Sequence, residues 1–273
     1  MICLTGDIHH MSLKTNDQKY LNISEVEAAI EYASIAKDFG IKATFFATGK
    51  SVGEERSNFK SLLEYPNIEL GGHNYYAFRP KWLYNGVFNR MIGLSNGPVF
   101  YQNYEVKKTI RIFKKLLGIK IISWRNHAYR HDRNTYRLLF ENGIRFVSDE
   151  VDPIKLKPYR RYEGIYSVPI NVLPDHDHIY HPDLTPETTK NWSLARDKFS
   201  PTFYNIDDWF EIIKGQITAV MKMDGIATVL VHPACMKIVD NFKIFKQLCR
   251  LICQYKTMFM RKLINNQEIG VNI

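Results

Sequence analysis

The chain begins Met1-Ile2-Cys3-Leu4-Thr5-Gly6-Asp7-Ile8-His9-His10, an apolar run at residues 2–4 that passes into a polar turn. Ser24-Glu25-Val26-Glu27 follows with the spacing of a capping box, in which a hydroxyl and a carboxylate satisfy free N–H groups of a first helical turn. Val26, Ala29, Ile30, Ala33 and Ala36 fall on one face of the helix it opens, and Gly40 stands beyond its end. Residues 42–47, rich in Thr and Phe, predict the next strand.

The cadence continues. Helices are predicted over 54–63, 104–117 (with Gly118 as its cap), 133–141, 206–223 and 241–253. Strands are predicted over 68–70, 119–123, 144–147, 165–172 and 226–231. This alternation predicts an α/β fold with a largely parallel sheet, open or closed into a barrel, and chemistry beyond the C-terminal strand ends. No repeat, low-complexity tract or linker interrupts the pattern, so residues 1–273 are expected to form a single domain.

Composition narrows the function classes. With 45% hydrophobic and 24% charged residues the chain is neither disordered nor fibrous, and its 273 residues can bury a core without staples. No apolar run approaches the ~20 residues of a bilayer span, and residues 1–7 read as neither signal nor anchor. Cys3, Cys235, Cys249 and Cys253 form no C-x-x-C pair, and reduced thiols in a cytoplasmic protein are the simplest expectation. A net charge of +9 suits an anionic membrane surface or a phosphorylated substrate. The basic residues are scattered, without any zinc-finger, RNA-binding or basic-heptad pattern, so no nucleic-acid partner is expected.

The nine histidines are grouped. His9 and His10 follow the first strand just after Asp7, and His73 follows the strand at 68–70. His127 and His131 come after the strand ending at Ser123; His176, His178 and His181 come after Val172; His232 caps the strand at 226–231. Their convergence on one rim points to a metal or acid–base site. Residues two apart share a strand face, so Asp7 and His9 point one way and His10 the other.

Leu4-Thr5-Gly6-Asp7-Ile8-His9 resembles the first motif of the polysaccharide deacetylases of the NodB-homology type, carbohydrate esterase family four. Ala43-Thr44-Phe45-Phe46-Ala47-Thr48-Gly49 resembles the family's second strand, and Ile68-Glu69-Leu70-Gly71-Gly72-His73 the approach to its histidine motif. Ser123-Trp124-Arg125 with the helix after it resembles the arginine motif, and Leu230-Val231-His232-Pro233 the last motif. The resemblance implies a distorted (β/α) barrel. It makes Asp7 the general base, Arg125 the residue that holds the base, and His232 the acid that protonates the leaving amine. His73 matches the first histidine of the family's H-x-x-x-H pair, and Ala77 occupies the second. His9, His10, His73 and His127 are then the candidate ligands of a divalent metal. Zinc is the expected ion, with cobalt and nickel suited equally on softness.

The activity so implied is metal-dependent hydrolysis of an N-acetyl group from an amino sugar, releasing acetate. Without an export signal, the expected substrate is a small-molecule or lipid-linked carbohydrate, a nucleotide- or lipid-linked precursor of a surface glycan, with peripheral contact to an anionic membrane. Tyr76 and Trp82 are candidate sugar-stacking residues. His176 and His178, in the polar run from Pro174, are candidate cleft residues; that run also reads as a second metal site or an exposed loop. Cys235 reads as packing. The alternatives are a deformylase or amidase on another small N-acyl or ureido compound, and a catalytically silent carbohydrate-binding relative. A glycosyltransferase using Asp175-His176-Asp177 ranks last, because it leaves the other histidines unexplained.

Overall fold

The computed structural model describes residues 1–91, 93–94, 96–190, 198–199 and 202–264. Its centre is a sheet of eight strands: β1 Ile2–Ile8, β2 Ala43–Ala47, β3 Ile68–Gly72, β4 Ser123–Trp124, β5 Phe146–Val147, β6 Tyr159–Arg160, β7 Tyr166–Ser167 and β8 Ala227–Leu230. Their spatial order is β6-β7-β5-β4-β3-β2-β1-β8, and only β6 with β7 is antiparallel.

β1 extends well past the expected end at Leu4, pairing with β2 from Leu4↔Ala43 to Ile8↔Ala47. Both faces are covered, so its polar residues need internal partners. The Thr5 hydroxyl donates to the Val229 carbonyl at 3.1 Å. At Gly6 the neighbouring strand comes so close that a Cβ would lie 2.7 Å from the Val231 oxygen.

Helix α1, Glu25–Asp38, has the expected capping box: the Glu27 N–H donates to the Ser24 hydroxyl, and the Ser24 N–H donates to the Glu27 carboxylate at 2.7 Å. The helix expected over 54–63 is two, α2 Gly49–Glu54 and α3 Arg56–Leu63, separated at Glu55. Thr48 starts the first one early by accepting from the Ser51 N–H at 3.1 Å. α4 spans Val99–Ile112, beginning directly after Pro98, and a wider turn carries it through Phe113–Leu117 to Gly118 at φ 73°. The remaining helices are α5 Thr135–Glu141, α6 Pro186–Thr189, α7 Ile206–Lys222, α8 Pro233–Asp240 and α9 Lys243–Ile252. Among the described residues no helix is long and apolar enough to cross a membrane.

The second half of the sheet is less regular. In the segment expected to be a strand over 165–172, only Tyr166–Ser167 pair in a ladder, with a single further bridge from Ile170 to Val151. Asn171 then does with its side chain what a strand backbone would do. Its amide donates to the Ile226 carbonyl and its oxygen accepts from the Thr228 N–H, both at 2.9 Å. The seam beside β8 is therefore drawn together by this side chain and one backbone bond, from the Ile226 N–H to the Leu156 carbonyl, in place of a ladder, and the (β/α) barrel is distorted.

Candidate metal centre and active site

The C-terminal ends of β1, β3, β4 and β8 open into one cleft of about 300 Å³, lined by Asp7, His9, His73, His127, His176 and His232 among others. Asp7 stands on β1 with its carboxylate accepting from the Arg125 guanidinium at 2.9 Å. Arg125 is fully buried and spends its other donors on the Ser148 carbonyl and hydroxyl and on the Thr5 hydroxyl. Its plane also lies over the Phe46 ring, 4.5 Å to the centroid. Burial alone would raise the Asp7 carboxyl. Arg125, aided by the charged His232, outweighs that and holds it well below the ordinary carboxylate range. Asp7 is therefore an anion at neutral pH.

Three imidazoles converge beside it. His127 Nδ1 lies 3.1 Å from His9 Nε2 and 3.2 Å from His73 Nε2. His73 Nδ1 faces the Arg125 carbonyl at 2.9 Å, so that nitrogen carries the proton and Nε2 is left as a bare lone pair. His9 Nδ1 faces the Glu25 carboxylate at 3.3 Å, with the same consequence for its Nε2. Glu25 also accepts from the His9 backbone N–H. His127 is set by its own N–H donating to Asn74 Oδ1 at 2.8 Å, while the preceding Asn126 is anchored on Asp149. Its Nδ1 can donate to only one of the two lone pairs it meets, so the cluster is unbalanced without a cation.

The geometry fits a metal. Ligand nitrogens at 2.0–2.1 Å on a tetrahedral zinc lie about 3.3 Å from one another, close to the two separations here. Both outer partners, a carboxylate on His9 and a carbonyl on His73, are the kind that orient metal-bound imidazoles. Burial pushes the His73 imidazole down to about 3, and His127 is likewise held well below its ordinary range by burial and by its two neighbours. Both are neutral, so the 3.9 Å approach of His73 to Asp7 is not an ion pair. His9, His73 and His127 could hold a divalent ion.

His232 is held in the opposite state. Its Nδ1 donates to Asp175 at 2.7 Å and its backbone N–H to the other Asp175 oxygen at 2.6 Å. Burial disfavours the imidazolium, but Asp175 and then Asp7 overcome it and raise the group well above its ordinary range. Its Nε2 points into the cleft, 3.6 Å from Asp7 Oδ2.

The structure does not gather every candidate. Strand alternation puts Asp7 and His9 in the cleft and turns His10 away. His10 spends its ring on the Ser12 hydroxyl at 3.0 Å and the Tyr76 carbonyl at 3.2 Å, which corrects its place among the ligands. Tyr76 receives that bond and does not line the cleft, and Trp82 is 68% exposed away from it. His178 is buried against the Thr202 carbonyl, and only His176 of that pair reaches the cleft. Tyr129 is the cleft's aromatic residue, while Ala77, buried at φ 45°, forms part of the wall. Asp175, Glu25 and Tyr129 were missed as site residues. Glu25 carried a signal, since a helix-opening acid just after a histidine-bearing strand end lies within reach of it; Tyr129 carried none.

No protein-family model matches the sequence, and no curated protein matches it. Solved structures do match. A protein described as a polysaccharide deacetylase of Mycobacterium smegmatis aligns with a TM-score of 0.71 at 14% identity, covering 98% of this chain and 88% of that one. Puue allantoinase aligns at 0.64 with 13% identity over 98% and 88% of the two chains. A protein described as a polysaccharide deacetylase of Pseudomonas aeruginosa PAO1 aligns at 0.64 with 13% identity over 98% and 89%. The chain has the NodB-type fold of the polysaccharide deacetylases, a distorted (β/α) barrel with a largely parallel sheet.

Proposed function

We propose that the protein is a metal-dependent N-deacylase that removes an acetyl group from an amino sugar. One observation carries this reading: an anionic Asp7 stands between a cluster of three histidines, of which His73 and His127 are held neutral, and a protonated His232. Those are the three things amide hydrolysis needs, namely a base for water, a site for an electrophilic ion and an acid for the leaving nitrogen.

His9, His73 and His127 would hold the ion, which supplies Lewis acidity toward the acyl carbonyl and acidifies a water. Asp7 takes the proton from the attacking water, its second oxygen fixed by Arg125. The water oxygen bonds to the acyl carbon as the C–N bond breaks, and the nitrogen leaves with the proton of His232 Nε2. Asp175 keeps Nδ1 protonated and the ring aimed. Acetate and a free amine result. Arg79 and Lys81 line the cleft, and no ion pair to either is found among the described residues. They support the narrower reading of a nucleotide- or lipid-linked sugar whose phosphates meet them.

A second reading, hydrolysis of a small ureide, is favoured by the alignment with an allantoinase over nearly the whole chain. The test is acetate release from N-acetylated amino sugars, free and phosphate-linked, by metal-loaded protein and by Asp7→Asn. Release by the wild type alone supports the proposal. Opening of a cyclic ureide to its ureido carboxylate, without acetate release, moves the assignment to the second reading. Bound sugar with no turnover of either leaves a carbohydrate-binding role.

A further inference from the structure

A second cluster of metal-capable side chains lies on the His232 side of the cleft, and the deacylation chemistry makes no use of it. One ligand atom each of Asp17, His176 and Cys235 lies within 4.8 Å of the other two. We infer that Asp17, His176 and Cys235 form a second divalent-metal site of the zinc type, distinct from the trio of His9, His73 and His127.

Three features support it. The donors are a carboxylate oxygen, an imidazole nitrogen and a thiol sulfur, the set that zinc accepts and that harder ions such as magnesium do not. The three arrive from distant parts of the chain: the turn at Asn16–Lys19, the loop after Pro174 and the first turn of α8. An ion there ties together three segments of one cleft wall.

The third feature is an incomplete set of hydrogen bonds. Asp17 is 4% exposed and places Oδ2 at 3.2 Å from His176 Nδ1 and Oδ1 at 3.0 Å from His181 Nδ1. The His176–Asp17 contact is an ordinary ion pair. The His181–Asp17 approach is a second such contact, but neither Asp17 Oδ1 nor His181 Nδ1 has a hydrogen bond of good geometry. Polar atoms this deeply buried are normally paired. The His176 and His181 rings stack at 5.0 Å with planes 17° apart, so both present Nδ1 to the same carboxylate side by side. These contacts leave the buried edge of Asp17 incompletely bonded, and the fully buried Cys235 thiol lies beside it.

Binding displaces the Cys235 thiol proton and any proton on His176 into solvent, so charge and protons balance without a further reactant. The His176 ring stands 5.3 Å from His232 by centroids, so the ion would act as a positioning element for the wall that carries the acid.

The experiment is cobalt(II) titration of metal-stripped full-length protein, read as the near-ultraviolet thiolate-to-cobalt charge-transfer band. The wild type should develop the band to saturation at about one thiolate-bound equivalent. His73→Ala should retain it, which separates this site from the trio and from the proposed activity. Cys235→Ser and His176→Ala should each lose it while keeping the wild-type far-ultraviolet circular dichroism. A wild type without the band overturns the inference whatever the variants do. A band that survives in Cys235→Ser assigns it to another cysteine and also overturns it.

Discussion

His73 and His232 border the same carboxylate, Asp7, yet they are held in opposite protonation states. The difference lies behind each ring. His73 Nδ1 meets a neutral carbonyl, that of Arg125, and burial then drives the imidazole down to about 3. His232 Nδ1 meets the buried carboxylate of Asp175, and the imidazolium survives the same burial. One residue type becomes a lone-pair donor or a proton donor according to an atom on its far side.

The strongest way to break the comparison is to neutralise the group between the two. Asp7→Asn removes the base, and kcat should fall by about 10⁴-fold. Metal content should be unchanged, as measured by elemental analysis beside steady-state kinetics. The same carboxylate neutralises a fully buried cation, so Arg125→Met should cost about 3–5 kcal/mol in urea unfolding.

Replacing the far-side partner tests the comparison directly. Asp175→Asn should lower kcat by about 10²–10³-fold. The sign of its pH effect follows from the two shifts. Turnover needs Asp7 ionised, so the acidic limb lies below the ordinary carboxyl value of 3.8. It also needs His232 protonated, so the basic limb lies well above 6.5 in the wild type. Asp175→Asn should move that basic limb down toward 6.5 and leave the acidic limb in place. An unmoved basic limb would show that His232 is not the acid.

On the trio side, Glu25→Gln weakens the partner of His9 and should reduce metal affinity by about 10–100-fold. His10→Ala should leave it unchanged, because that ring faces Ser12 and Tyr76. Competition with a chromophoric chelator measures both. The smallest effects are expected at the aromatics. Tyr129→Ala should raise KM about tenfold, on the order of 1.4 kcal/mol of ring contact. Trp82→Ala should change KM less than about twofold, which is within ±0.5 kcal/mol for an exposed position. A large Trp82 effect would mean that the substrate is a polymer extending beyond the cleft.

Much of the first half of the fold is legible because its signals are local. The Ser24/Glu27 box and the Val26–Ala36 face form as their spacing predicts, and β2 is buried throughout. Local signals also mislead where a short-range competitor intervenes. Thr48 caps a helix earlier than the apolar pattern predicts, and β1 runs through polar residues because Arg125 and Val229 satisfy them. In the second half β4 to β7 are two residues long, and an asparagine side chain helps to close the seam beside β8, which no periodicity announces.

The site divides in the same way. The sequence by itself determined that Asp7, His73, Arg125 and His232 fall at the ends of parallel strands, because strand ends are marked by the change from apolar run to polar residue. Alternation along β1 sets His9 and His10 on opposite faces, yet only the structure removes His10 from the candidate ligands. Only the tertiary structure decided which histidine faces a carboxylate and which a carbonyl. Asp175 reaches His232 across 57 positions of chain, and Arg125 reaches Asp7 across 118. A proton's free energy depends on charges within a few ångströms, and those distances are set by packing rather than by spacing along the chain.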